Sequence, residues 1–364
     1  DNAFTLSTGD MVFICDNVKK RVPGSSMYTV YTDDDGNTTG EDFKGENLIT
    51  GTIKGVAENR TPTVYFLSGH GEKSLDSYTK FTTNLTNYNY AAKELNLSET
   101  DSVPDDAALV LVAAPSKDIT DAEAEKLNAY LDNGGNISLL MSPNGGAFAY
   151  TNLESIMKDY GFYMDYDRVS ETNSNYHISG DKYTIQCELN ELDDDSEATD
   201  LTSSLLNQGL YTFMPESRSF RYNDEGGKYT IAPLITTYDS AEGEPYGGVS
   251  DDPEKQSGQM LLAADSTSIA RNDSKMVVFG NAEFIDDEHV SDDTVIVPVY
   301  LFLSTISWMY DSDIDMEIST KSTTNDYISL QDAGFAKGLM VVLTVIPVAI
   351  MAAGIGIWIK RRNS

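Results

Sequence analysis

Thr63-Val-Tyr-Phe-Leu-Ser-Gly-His-Gly-Glu72 runs from an unbroken strand-forming stretch into two glycines that flank a histidine. An apolar run without polar alternation marks a strand buried on both faces, as in a parallel sheet covered by helices. The glycines let the backbone turn sharply where that strand ends. The same grammar repeats downstream. A helical stretch at Tyr78–Asn87 leads through Tyr88–Lys93 to a second apolar core strand, Ala108–Ala113. Thr120-Asp-Ala-Glu123 is a capping box, Leu127, Tyr130 and Leu131 supply an apolar stripe, and Gly134-Gly135 stops the helix. Asn136–Met141 reads as another strand and Asn152–Tyr160 as another helix. Alternation of this kind predicts parallel pairing through right-handed crossovers: a three-layer, flavodoxin-like α/β domain with a mostly parallel sheet over residues 61–170.

The flanks are less regular. Residues 1–60 read as a β-rich lead-in, with strand runs at Asp10–Cys15 and Ser26–Tyr31, followed by a first helix. The acidic stretch Asp33–Asn37 resembles a calcium loop, but Tyr31 stands where the first EF-hand ligand belongs, and a hairpin turn explains it more simply. Residues 171–320 form a second α/β-type portion with acidic insertions. Its strand candidates are Leu210–Phe213, Tyr229–Thr237, Gln259–Ala264 and Lys275–Phe279, with helices near Leu201–Asn207 and Thr294–Tyr310 and an edge strand at Met316–Ser319.

The far end has a different character. No Asp, Glu, Lys or Arg occurs from Leu339 to Ile359, and Lys360-Arg361-Arg362 follow at once. As a helix rising about 1.5 Å per residue, that stretch matches a hydrocarbon core of about 30 Å. The reading is a juxtamembrane linker at 321–337, a single transmembrane helix at 338–360 and a cytoplasmic tail at 361–364. Basic residues beside a span stay inside, so the bulk is expected outside the cell membrane. A buried core helix is the plainer alternative. Within the span Pro347 is set to kink the helix, and Ala349, Ala353 and Gly354 offer a small-residue face for other membrane helices. Asp1 opens the chain without a signal segment, so an upstream targeting element is expected.

Composition narrows the chemistry. A formal charge of −33 disfavours nucleic acid and anionic lipid surfaces, which require clustered Lys and Arg. Cys15 and Cys187 suffice for one disulfide but not for a disulfide framework or a cysteine-bound metal. Ligands of open α/β sheets bind beyond the carboxyl ends of the strands. That rule selects a cleft lined by Ser68, His70, Glu72, Ser116, Asn144, Asn281 and Glu283. His70 with Glu72 is the acid–base candidate, against the plainer reading of a turn-forming structural histidine. A metal needs three or four ligands, and His177 and His289 have no suitable spacing. No GxSxG or GxCxG elbow, P-loop or GxGxxG is present, so no catalytic residue, metal or cofactor is assigned.

Val64–Glu72 resembles the "VYFLTGHGE" block of the GldG-like family, the auxiliary proteins of ABC-type transport systems. Glu46–Thr50, Pro104–Ala107, Ala114-Pro115, Leu131–Gly135, Pro233–Thr237 and Val278–Phe284 are similar to further family blocks in order, as are Trp308, Pro347 and Arg361-Arg362. The resemblance covers about residues 45–362. It implies a non-catalytic extracytoplasmic subunit working with an ABC-2-type permease and a cytoplasmic ATPase, built on an amidotransferase-like core without its nucleophile. Asn281 and Glu283 replace the family's usual acidic pair, and Tyr238 stands where Ser is common. A membrane-tethered hydrolase using His70 and Glu72, or a surface recognition protein, are the alternatives.

Overall fold

The computed structural model describes residues 6–310 except 17, 33–37, 44, 58–60, 192–199, 209–210, 224–226, 249–255 and 291–292, and further on residues 321–322, 358 and 361–362. The acidic turn at 33–37, the edge strand at 316–319 and the span with Pro347, Ala349, Ala353 and Gly354 lie outside the described residues. Among the described residues no helix is long and apolar enough to cross a membrane.

Residues 1–29 and 43–320 form one compact unit. At its heart five parallel strands lie in the order Ala91–Leu95, Thr63–Leu67, Ala107–Ala113, Ile137–Leu140, Ser274–Phe279. Numbered along the chain this is 2-1-3-4-5, the flavodoxin-like winding. The apolar runs read from sequence are four of these strands, with alternate residues serving opposite faces, while the edge strand Ala91–Leu95 exposes Lys93 and Glu94 and has no such run. Val64, Phe66, Leu109, Leu111, Val277 and Phe279 join one core with helices α2 (Thr79–Asn87) and α6 (Ile296–Met309). Tyr65, Leu67, Val110, Val112, Leu139 and Val278 join another with α3 (Asp121–Leu131) and α4 (Thr151–Lys158). Two apolar faces, each covered by helices, give the three expected layers. α6 is apolar all round because it is buried almost all round, from Val297 to Met309.

Beyond Ser274–Phe279 the sheet continues antiparallel through Leu261–Ser268, Tyr229–Thr237, Asp181–Leu189 and the short His177–Ile178. The reason is local. Only a tight connection through Asn272 (φ 61) and Asp273 (φ 58) joins Ser268 to Ser274. A parallel neighbour would need a crossover of about a dozen residues or more. The continuous apolar run Met260–Ala264 therefore looks like its parallel neighbours in sequence while pairing the other way. Before the parallel strands, the hairpin Met11–Cys15 with Val18–Val22 packs on α1 (Gly45–Ala57). Helix α5 (Asp200–Gln208) lies against α6.

In a second unit, residues 30–42 and 321–364, the described residues include a three-stranded sheet in the order Lys321–Ser322, Thr38–Phe43, Tyr28–Thr32. Cys15 and Cys187 are both free thiols. Cys187 is buried, and burial pushes its pKa far up, so it is not a reactive thiolate.

Candidate functional site

In a 2-1-3-4-5 sheet the winding reverses between Thr63–Leu67 and Ala107–Ala113, and ligands of such folds enter at the carboxyl ends there. The two loops at that point are Ser68–Glu72 and Ala114–Lys117. They are stitched together. The His70 carbonyl accepts the Ser116 N–H at 2.8 Å, the Lys117 N–H at 3.1 Å and the Ser116 hydroxyl at 3.1 Å. The approach is so close that a Cβ on Gly71 would fall 1.8 Å from Ser116 Oγ, and Gly71 also holds φ at +87°. Only glycine satisfies both conditions without strain. Ser68 is tied to the neighbouring strand, its N–H donating to the Leu95 carbonyl.

The His70 side chain turns inward between two carboxylates. Its Nδ1 lies 3.2 Å from Glu72 Oε1 and its Nε2 lies 3.1 Å from Glu123 Oε2. Glu72 also accepts the His70 backbone N–H at 2.6 Å. The hydrogen bond that the ring donates to Glu72 raises the imidazole pKa, burial opposes it, and Glu123 adds to the rise. Protonated, the ring donates from both nitrogens. Burial pushes the Glu123 carboxyl up, but the Thr120 hydroxyl and N–H and His70 together bring it below its usual range. Glu123 is the third residue of α3 and completes the capping box read from the sequence. With His70 only 3 % exposed and both ring nitrogens taken, this group is a charged cross-link between the switch-point loop and the start of α3. A general base needs a free nitrogen within hydrogen-bond reach of its substrate. This one has none.

The rim continues to the last parallel strand. Lys73 Nζ sits 2.6 Å from Asp286 Oδ2, joining the loop after Thr63–Leu67 to the segment after Ser274–Phe279. Asp286 Oδ1 accepts His289 Nδ1 at 2.7 Å and the N–H groups of Glu288 and His289. Asp286, Glu288 and His289 are thus close enough for a cation, yet both Asp286 oxygens already serve donors. Asp287 caps α2 by accepting the Lys80 N–H at 2.8 Å.

The other named residues lie at the ends of Ile137–Leu140 and Ser274–Phe279. Asn144 shapes its own loop, accepting the Gly146 N–H at 2.8 Å and donating to the Tyr150 hydroxyl at 3.4 Å. Buried Asn281 donates to the Glu216 carbonyl at 2.6 Å and accepts the Glu283 N–H at 2.6 Å, while the Glu283 side chain is exposed. The Tyr150 hydroxyl, which accepts from Asn144, donates to the Pro115 carbonyl and so ties the Asn144 loop to the loop that carries Ser116. Two residues were missed. Glu123 is visible in sequence as a capping residue, but not as a partner of His70 across 53 positions. Arg218, fully buried beside Ser142 and Gly280, carries no sequence signal in Pro215-Glu-Ser-Arg-Ser219.

No curated protein matches the chain in sequence. Among solved structures, the mmIFT52 N-terminal domain superposes with a TM-score of 0.52 at 17% identity, covering 69% of this chain and 99% of that one. That likeness concerns the fold alone. The exo-beta-1,4-mannosidase Op5Man5 from Opitutaceae bacterium strain TAV5 gives a TM-score of 0.34 at 8% identity, over 76% of this chain and 40% of that one. The sequence model described as "ABC-type uncharacterized transport system" matches residues 61–295, which takes in the His70 loop, all five parallel strands and the Arg218 segment. By that match the chain belongs to the ABC-type uncharacterized transport system family.

Proposed function

We propose that this protein is a non-catalytic, extracytoplasmic auxiliary subunit of an ABC transport system, held in the membrane by Leu339–Ile359 and associating with an ABC-2-type permease and a cytoplasmic ATPase. The observation that carries the reading is the family match over residues 61–295, which holds all five parallel strands. Two features support it. The histidine at the switch point is spent on Glu72 and Glu123 rather than offered to a substrate. The uncharged stretch ending in Lys360-Arg361-Arg362 has the length and flank of a span with its carboxyl end inside. In this role the α/β unit presents a rigid surface outside the membrane, and the helix with Pro347, Ala349, Ala353 and Gly354 docks against the permease. The test is affinity purification of the full chain from native membranes in mild detergent. A permease and an ATPase should co-purify in fixed ratio; a preparation that repeatedly yields the chain alone removes the proposal.

A further inference from the structure

We infer that Arg218 anchors a small-oxyanion site, for a carboxylate or a phosphate, at the carboxyl ends of Ile137–Leu140 and Ser274–Phe279 beneath the 142–149 loop. Arg218 is 0% exposed, yet its guanidinium makes one hydrogen bond, from Nη2 to the Ser142 carbonyl at 2.9 Å. Nε and Nη1 are buried with no partner. Among the described residues no carboxylate forms an ion pair with it, and those nearby are committed elsewhere. Asp167 accepts the Ser219 N–H at 2.9 Å and hydroxyl at 2.7 Å, Asp165 holds Arg221 at 2.8 Å, and Glu154 accepts the Tyr166 hydroxyl. Tyr150 and Tyr166 place their rings 5.6 and 5.5 Å from the guanidinium carbon. Such contacts offset only part of the cost of burying an unpaired charge. The unmet groups are donors on a permanent cation, so the missing partner is an anion, and the planar guanidinium suits an oxyanion best.

The position fits a ligand as well as the charge does. The Arg218 N–H donates to the Gly280 carbonyl at 3.0 Å, and a Cβ on Gly280 would lie 2.1 Å from the Arg218 carbonyl oxygen. The backbone is thereby fixed against the end of Ser274–Phe279, where ligands of doubly wound sheets sit. The cover is a loop whose two ends hold the guanidinium, Ser142 by its carbonyl and Tyr150 by its ring, together with the ring of Tyr166. Between Ser142 and Tyr150 the loop is half-buried to exposed and contains Gly145 and Gly146. The Gly248 N–H holds it by donating to the Gly146 carbonyl at 3.0 Å. With Nε and Nη1 buried, an oxyanion reaches them only if this cover moves.

The experiment is a set of thermal melts of the full chain in detergent, at fixed pH and ionic strength, in chloride, malonate or phosphate. A ligand that binds only the folded state raises the melting temperature in proportion to ln(1 + [L]/Kd). The wild type should rise with malonate, phosphate or both relative to chloride, and the anion that acts identifies the class. Arg218→Met should lose that response while melting in chloride at least as high as wild type, because an apolar side chain of similar size removes a buried unpaired charge. A wild type indifferent to both oxyanions overturns the site, as does an Arg218→Met protein with an undiminished response. Should that variant not fold, hydrogen exchange of the wild type decides. The oxyanion must change exchange at residues 142–150 relative to chloride, and unchanged exchange there refutes the site. Neither readout requires a permease or ATPase.

Discussion

Replacing His70 by Ala tests the charged cross-link at the switch point. The imidazole makes two bonds to carboxylates, at 3.2 Å to Glu72 and 3.1 Å to Glu123. Hydrogen bonds to charged groups contribute about 1.5–3 kcal/mol each, and breaking a buried pair by removing one partner costs about 3–5 kcal/mol. Two features place this case at the low end. Both distances exceed the ~2.7–2.9 Å of strong charge-assisted bonds. Each carboxylate also keeps other donors: Glu72 retains the backbone N–H of residue 70, and Glu123 retains the Thr120 N–H and hydroxyl. The expected loss is about 2–3 kcal/mol, a melting-temperature drop of roughly 3–5 °C for a unit of this size. Its pH dependence follows from the direction of the shift. The folded pKa of His70 lies above the unfolded value, so the added stability is fully present below about pH 6.5 and fades as pH rises through the folded pKa. Circular-dichroism melts of wild type and His70→Ala at about pH 6 and pH 9 should therefore show the larger gap at the lower pH. A gap below about 1 kcal/mol, or one equal at both pH values, refutes the cross-link.

Gly71→Ala should destabilise the protein by more than about 1 kcal/mol through its left-handed φ and its collision with Ser116, and Ser116→Ala in the same chain should recover part of that loss in a double-mutant cycle. Asp265 is fully buried on Leu261–Ser268, where burial pushes its carboxyl up to about 8 against an opposing pull from Lys275. A raised carboxyl pKa favours the folded state below the unfolded pKa of about 3.9 and loses that advantage as pH rises toward 8. Asp265→Asn should therefore gain stability relative to wild type between about pH 4 and pH 8 in denaturant titrations, and a constant difference would contradict the burial argument. Ending the chain before Leu339 should release the protein from carbonate-washed membranes; continued sedimentation with the membrane would remove the anchor from the proposal.

Four of the five parallel strands were legible because burial on both faces leaves no polar alternation, as Thr63–Leu67 and Ala108–Ala113 show directly, whereas Ala91–Leu95 at the edge exposes Lys93 and Glu94 and was not. The start of α3 was legible because Thr120 and Glu123 bond within one turn. Pairing direction was not. Met260–Ala264 has the same apolar look as its parallel neighbours, and only the short connection through Asn272 and Asp273 makes it antiparallel. The candidate site was half legible. The carboxyl-end rule found the right loops, and the glycines around His70 marked a sharp turn, but neither indicated which way the imidazole would face.

By itself the sequence determined the elements whose signals are local: buried strands, a capped helix, a turn that only glycine allows, and an uncharged stretch bounded by basic residues. These follow from short-range sterics and from the match between residue polarity and solvent. Tertiary structure alone decided what became of the ionisable groups. His70 is enclosed because Glu123 arrives from a helix 53 positions away, and Arg218 is stranded because a crossing segment carries it over the strand ends while the neighbouring carboxylates bond elsewhere. Charges act through space and burial, so their partners depend on how the chain is wound and not on who stands next to them in the sequence.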